Sequence, residues 1–238
     1  MKKVLYQLCT PRVSSRDAWF KKLVPRDFSS LIVSSESNWG ETFAKQEAPT
    51  SCGLVSAQNH AKILSNIFKH SNRMNDRLDA MVELGSRSEA EATKFVVDSV
   101  PNFTRDGLTL EQLHHFVLNG SSDYEIHRNA EDAVDFSLAN FETILLEQIT
   151  LFGSVIVNYD MTALGQSPAG GHLSLVAGLA ELQNSDRNKE MVALLLDCWP
   201  ETPLAWIPTR ALYHAINTAD RGNDGKYRGF LKRKQRLN

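Results

Sequence analysis

At about residue 153 the hydrophobic period of this chain changes, and that change limits the folds open to it more than any single motif. Upstream, Leu54, Ala57, Ala61, Leu64 and Phe68 recur at three- and four-residue steps, with Ile67 widening the stripe, and predict a helix over 51–69. Weaker helical patterns cover 76–84 and 88–97 and stop before Pro101. Thr109-Leu110-Glu111-Gln112 is a capping-box sequence that opens a short helix closed by Gly120. Phe141, Ile144, Leu145, Gln148 and Ile149 share one face of a helix over 137–152, ended by Gly153. Downstream the period becomes that of strands. Residues 154–159 and 173–182 are strand-like, 191–196 is a short apolar run suited to a buried strand, and 184–188 is a turn that makes the last two an antiparallel hairpin. A strand over 124–128, a helix over 209–219, a turn at Asn223-Asp224-Gly225 and a closing strand over 226–232 complete the reading. Residues 1–42 form an N-terminal segment of mixed polarity, with irregular structure and a short helix near 16–23. The expected fold is α+β, in one domain of two lobes: mainly helical over about 43–152, mainly antiparallel β over about 153–238.

The totals exclude several classes of function. With 238 residues, 42% of them hydrophobic, the chain can bury a sizeable core. A net charge of -2 gives no surface-wide attraction for nucleic acid or membrane, and no apolar run approaches a membrane span. Three cysteines, Cys9, Cys52 and Cys198, are too few for a disulfide framework, and no Cys/His pair has zinc-site spacing. Reduced thiols fit a cytoplasmic protein. Polar Gln7, Thr10, Arg12 and Ser14 interrupt what would be a signal-peptide core, and a secreted or periplasmic protein whose leader had been removed is the alternative. The adjacent His114 and His115 diverge around their helix and do not suit a shared metal; the basic stretch 232–236 reads as a solvated end.

Chemistry concentrates around Lys45-Gln46-Glu47-Ala48-Pro49-Thr50-Ser51-Cys52-Gly53-Leu54. Cys52 falls at the start of the first helix, after two N-cap residue types, Thr50 and Ser51. The free N–H groups of that first turn favour a thiolate. Gln46 is placed to offer its amide, with the Cys52 N–H, to a developing oxyanion. In the hairpin, His172 opens one strand and Asp197 closes the other, so antiparallel pairing makes them neighbours. A carboxylate on the imidazole would fix its tautomer, and the imidazole would take the thiol proton and return one to a leaving amine. Taken singly, each residue also has a bland reading: a buried small Cys52, a turn histidine, a strand-end Asp197, an Arg228 paired with any surface carboxylate. Cys198, next to Asp197, is expected on the opposite strand face as a buried small residue. The order Cys, His, Asp across a helical and a sheet lobe is that of papain-like enzymes, with the active site in the cleft between the lobes.

Several ordered motifs resemble the phytochelatin synthase family. They are Gln46-Glu47-Ala48-Pro49-Thr50-Ser51-Cys52-Gly53-Leu54, Gly107-Leu108-Thr109-Leu110-Glu111-Gln112-Leu113, Val157-Asn158-Tyr159 and Gly171-His172-Leu173-Ser174. Leu194-Leu195-Leu196-Asp197, Trp206-Ile207-Pro208 and Tyr227-Arg228-Gly229-Phe230 continue the likeness, which runs from about residue 43 to 233. The resemblance implies a papain-like catalytic domain. Its reaction is attack on the Cys–Gly bond of glutathione, release of glycine, and a γ-Glu-Cys thioester passed to water or to a second glutathione. It assigns Cys52 as nucleophile, His172 as general base, Asp197 as its orienting partner and Gln46 as oxyanion donor. It places glutathione or a γ-glutamyl peptide against Asn158, Gly171, Asp220 and Arg228; a guanidinium and a carboxylate suit the free α-carboxylate and α-ammonium of a γ-glutamyl group. No bound cofactor or metal is implied; cadmium or zinc would act through the thiolate of a metal–glutathione substrate. Association as a homodimer is left open. The chain lacks the Cys-rich C-terminal region of the plant enzymes, and prokaryotic relatives of this short form lean towards hydrolysis. The His172-to-Asp197 stretch is longer than the family's usual spacing, and Asn59 and His60 fall where relatives are more apolar. The competing expectations are a papain-like peptidase or amidase acting on other peptides or a protein target, including a secreted effector, and a thiol or metal-binding protein without catalysis.

Overall fold

A computed structural model of the chain describes residues 28–34, 43–69, 83–118, 122–128, 136–166, 170–183, 189–199 and 205–234. The expected helix near 16–23, the turn at 184–188, Gly120 and Cys9 lie outside the described residues. The described part is a mixture of helix and one antiparallel sheet. The strands are β1 (Phe28–Ser34), β2 (Tyr124–His127), β3 (Val155–Asp160), β4 (Gly171–Gln183), β5 (Lys189–Leu196), β6 (Ala205–Pro208) and β7 (Gly229–Arg233), in the order β2-β7-β3-β4-β5-β6. β4 is long enough to take two partners on one edge. β3 pairs with its first half, Gly171 to Val176, and β1 with its second, Gly178 to Leu182, while β5 runs along the other edge.

The helices are α1 (Cys52–Lys69), α2 (Glu89–Val97), α3 (Phe103–Asp106), α4 (Leu110–Gln112), α5 (Leu138–Phe152) and α6 (Thr209–Ile216). Local chemistry sets their starts. Ser88 and Thr109 each make a reciprocal capping box, with Glu91 and Gln112, and Ser137 accepts from the N–H of Asn140. α4 runs on as a π-helical turn over Leu113–Val117, where the sequence predicts ordinary helix.

Two apolar cores lie against the sheet. Leu54, Ala57 and Ile63 of α1 pack with Leu173, Leu175 and Ala177 of β4 and Val192, Leu194 and Leu196 of β5. Phe141, Leu145 and Ile149 of α5 and Leu212 and Ile216 of α6 pack with Val155 and Val157 of β3, Val176 and Leu179 of β4, and Ala193 and Leu195 of β5. β5 alternates strictly between the two. β4 does not: Leu173, Leu175 and Ala177 share one core, yet Leu179 belongs to the other. The register shift between Val176 and Gly178 explains this, because one extra residue in a strand turns every later side chain to the opposite face.

Two strands of the sheet, β1 and β6, were not expected from the sequence. β1 falls in a segment expected to be irregular, and β6 in a stretch assigned no element. β6 is only four residues long and sits at the sheet edge, where Pro208 gives up no ladder hydrogen bond inside the sheet.

Candidate active site

Cys52 is the first residue of α1, and Gly53 behind it decides how near the helix comes to the sheet. A Cβ at Gly53 would lie 2.7 Å from Leu173 Cδ1 and 3.3 Å from Leu108 Cβ. Its absence lets the first turn rest on the strand that carries His172. Ser51 takes the position before the helix, its carbonyl accepting from the Val55 N–H at 2.9 Å. Its hydroxyl does not cap the helix in the expected way; it donates its one proton to Glu89 Oε1 at 2.5 Å, with Ala48 O also near at 2.8 Å. Glu89 also accepts from the N–H groups of Glu47 and Ala48, at 2.7 and 2.9 Å, so one carboxylate on α2 fixes the loop before the thiol.

The structure brings three neighbouring strand ends together. Tyr159 is the penultimate residue of β3 and pairs with His172 on β4; Asp197 follows directly on β5. His172 Nε2 donates to Asp197 Oδ1 at 2.7 Å, both side chains being buried. Nδ1 is therefore the nitrogen left for the thiol. Burial by itself pushes the Cys52 thiol up, but the hydrogen bond and charge of His172, with backbone hydrogen bonds from Leu173 and Gly53, outweigh it and bring its pKa below the ordinary value. Burial also opposes charge on His172. The charge of Asp197 and its hydrogen bond to the ring overcome that and hold the imidazole well above its usual range. Asp197 shows the same balance: burial raises it, and His172, the Trp199 N–H and Gln166 pull it below the usual carboxylate value. A lowered thiol beside a raised imidazole is the direction of shift that favours a thiolate–imidazolium pair.

Gln46 also reaches this cluster, buried, with Oε1 accepting from Cys198 Sγ at 3.3 Å. Its Nε2 donates to the carbonyls of Ala48 and Pro49, at 2.9 and 3.1 Å, so an oxyanion has to exchange for one of these two bonds. The Gln46 N–H donates to Cys198 O at 2.9 Å, and Lys45 Nζ donates to the main-chain oxygens of Asp197 and Trp199 at 2.5 and 3.1 Å. The chain before the nucleophile is thereby stitched to the chain carrying the carboxylate.

Cys198 corrects the sequence reading in its direction. It is buried, but its thiol turns into the cluster, 3.9 Å from His172 Nε2 and 3.6 Å from Cys52 O. Strand alternation does not govern it, because β5 ends at Leu196. Burial pushes this second thiol up, so it stays protonated and donates. His172, Asp197 and Cys198 are the grouping of metal-ligating types among the described residues, their ligand atoms within 4.8 Å of one another. A cation there would have to displace the proton between His172 and Asp197, in a place where all three side chains are buried.

The four remaining candidates come together beside His172. Arg228 Nε donates to Thr218 Oγ1 at 3.1 Å and Nη1 to Asn158 Oδ1 at 3.3 Å. Asn158 Nδ2 donates to Asp220 Oδ2 at 3.2 Å, and Asp220 Oδ1 lies 3.6 Å from Arg228 Nη1. A Cβ at Gly171 would fall 2.1 Å from Arg228 Nη1, so the guanidinium occupies the space that this glycine leaves. Sequence reasoning missed Gln166 and Tyr159, both on Asp197, and Asp160, whose carboxylate is 3.9 Å from Arg228. Tyr159 lies inside a quoted motif, but no pattern marks the direction of a side chain at a strand end.

An α+β chain with a cysteine at a helix start and an imidazole–carboxylate pair on adjoining strand ends belongs to the class of proteins suited to thiol-dependent acyl chemistry. The particular family follows from comparison: the phytochelatin synthase family model matches residues 21–230, and the chain belongs to that family. That family is one of enzymes with transpeptidase chemistry on glutathione. No curated protein sequence matches. Solved structures with some likeness include SERA5E from Plasmodium falciparum, at 11% identity and a TM-score of 0.42 over 85% of this chain and 94% of that one. The SERA5 proenzyme from the same organism matches at 11% identity and a TM-score of 0.43, over 85% of this chain and 64% of that one. None of the described helices is long and apolar enough to cross a membrane.

Proposed function

We propose that this protein is a glutathione γ-glutamylcysteinyltransferase-like enzyme in which Cys52, His172 and Asp197 form a catalytic triad. The observation that carries the reading is adjacency. Gly171, whose missing side chain makes room for Arg228, is followed by His172, so a γ-glutamyl group held by Arg228, Asp220 and Asn158 lies next to the thiol chemistry. The Arg228 guanidinium takes the α-carboxylate, and Asp220, with Asn158, takes the α-ammonium.

Cys52 Sγ attacks the carbonyl carbon of the Cys–Gly bond, and the Cys52 N–H, with a donor released from Gln46, receives the oxyanion. The bond to nitrogen breaks as His172 passes a proton to the departing glycine amine, while Asp197 holds the ring. The resulting γ-Glu-Cys thioester goes to water, which degrades glutathione, or to the α-amine of a second glutathione, which makes phytochelatin. His172 takes the proton of either acceptor. Cadmium or zinc enters as the metal thiolate of the acceptor glutathione, and no resident cofactor is needed. A papain-like arrangement of helical and sheet lobes around a cleft, in a single catalytic domain of a cytoplasmic enzyme, completes the proposal, with association as a homodimer left open.

The test is mass analysis of the protein incubated with glutathione, with and without cadmium. An adduct of one γ-Glu-Cys unit on Cys52, with glycine released, is expected; Cys52→Ala and His172→Ala lose both. Glycine release that persists in the two variants overturns the reading. Cleavage of α-peptides with glutathione ignored and with Arg228→Ala unimpaired replaces it by a papain-like peptidase or amidase.

A further inference from the structure

Asp197 carries more hydrogen bonds than a carboxylate needs to orient one histidine. Oδ1 accepts from His172 Nε2 at 2.7 Å and from the Trp199 N–H at 2.8 Å. Oδ2, which faces away from the imidazole bond, accepts from Gln166 Nε2 at 2.8 Å and from the Tyr159 hydroxyl at 3.1 Å. All four side chains involved are buried. We propose that Gln166 and Tyr159 are positioning residues, whose two donors keep Asp197 charged and stop its carboxylate from turning away from His172. The proposal rests on reading Cys52, His172 and Asp197 as the triad.

Each donor is fixed from a different direction. Tyr159 stands beside His172 across the β3–β4 pair, its ring edge-on to the imidazole at 5.5 Å between centroids. Burial and the charge of Asp197 hold its phenol well above the ordinary pKa, so it remains a donor. Gln166 follows the 3-10 turn Thr162–Leu164, and its own N–H is tied to Met161 O at 2.8 Å. Its Oε1 is buried without a hydrogen-bond partner among the described residues. Turning the amide over would aim that oxygen at the carboxylate, so the observed orientation accepts an unpaired carbonyl in order to give Asp197 a donor. The titratable groups around the carboxylate are His172, Tyr159, the protonated Cys198, Cys52 beyond the imidazole, and Lys45, whose ammonium bonds the Asp197 main-chain oxygen. Neither Gln166 nor Tyr159 is placed to touch substrate; both act through Asp197.

Removing a donor from the charged form of an acid raises its pKa. As pH falls, protonated Asp197 no longer supports the imidazolium, and the thiolate is quenched with it. The experiment follows the rate of Cys52 alkylation by iodoacetamide in the full chain from about pH 3 to 9, which needs no glutathione. Wild type should keep a reactive thiolate well below the ordinary thiol range. Gln166→Met and Tyr159→Phe, which preserve volume, should each move the acid limb up by about one pH unit, with the plateau near neutrality and the KM for glutathione little changed. An acid limb that stays in place in both variants overturns the proposal, including the case in which rates drop evenly at all pH values, as loosened packing would cause. Tyr159→Phe decides alone should Gln166→Met fail to fold. A wild type without a low-pH thiolate overturns the triad itself, and is thus distinct from failure of the positioning role.

Discussion

The guanidinium of Arg228 is held at Nε by Thr218 and at Nη1 by Asn158, with Asp220 and Asp160 at 3.6 and 3.9 Å. A lysine at this position offers one point of charge where arginine offers a planar fork. Arg228→Lys is expected to raise KM for glutathione by about tenfold to a hundredfold, read in steady-state kinetics. His172→Ala acts on the thiol instead. Without the imidazole, burial is the main influence left on Cys52, so its pKa returns to the ordinary range or above, and alkylation at about pH 6 should drop by about a hundredfold. The contact between His172 and Asp197 was legible from the hairpin that joins their strands. The orientation of Cys198 was not, because it lies two residues past the end of β5, where strand alternation no longer holds. The donors on Asp197 were equally hidden, since they depend on how three strand ends meet.

Among the elements, the segment from Thr218 to Gly229 carries both charged residues of the candidate pocket, and it is tied down from outside. Arg128, just past β2, is buried; its Nε donates to Arg228 O at 3.0 Å and its Nη2 pairs with Glu111 Oε2 at 2.7 Å. Glu111, in the first turn of α4, also accepts from Asn223 Nδ2 at 2.7 Å and pairs with Lys226 Nζ at 3.3 Å. Glu111→Ala leaves the Arg128 charge buried beside the pocket. The loss of stability, discounted for the partial exposure of Glu111, should be about 1–3 kcal/mol by chemical denaturation, with a rise in KM larger than any change in kcat. The capping boxes at Ser88 and Thr109 show why α2 and α4 were readable: their signals are local, and both ends of the hydrogen bonds lie within four residues. The π-helical turn after α4 has no such local signature.

Across the whole molecule, the sheet separates two apolar cores, and a buried histidine on α1 joins one of them to the polar network behind it. His60 bonds Ser154 Oγ at 2.7 Å and Tyr124 Oη at 3.0 Å. Burial, aided by the charge of Arg233, depresses its pKa to about 3. Such a base is neutral when folded and takes up a proton when unfolded below its ordinary pKa of 6.5, so stability is intact above that pH and is lost as pH falls towards 3. The loss attributable to this group is on the order of 5 kcal/mol over the window, and it should shrink in His60→Gln when thermal midpoints are compared across pH. The change of hydrophobic period at about residue 153 was enough to foresee a mixed chain with an antiparallel second half. It could not reveal β1, whose ladder partners Gly178 to Leu182 lie far along the chain on β4, nor β6, which is short and ends in proline.

One absent methyl group ties recognition to reaction. On the proposed reading, the strand that presents Gly171 as the wall behind Arg228 presents His172 one residue later, so ligand capture and proton traffic would fall to consecutive links of a single ribbon. Adding that methyl in Gly171→Ala cannot disturb the guanidinium without also pushing on the imidazole's backbone. The two kinetic constants for glutathione should therefore worsen together, and a lineage that retunes its substrate at this position must retune its chemistry in the same step.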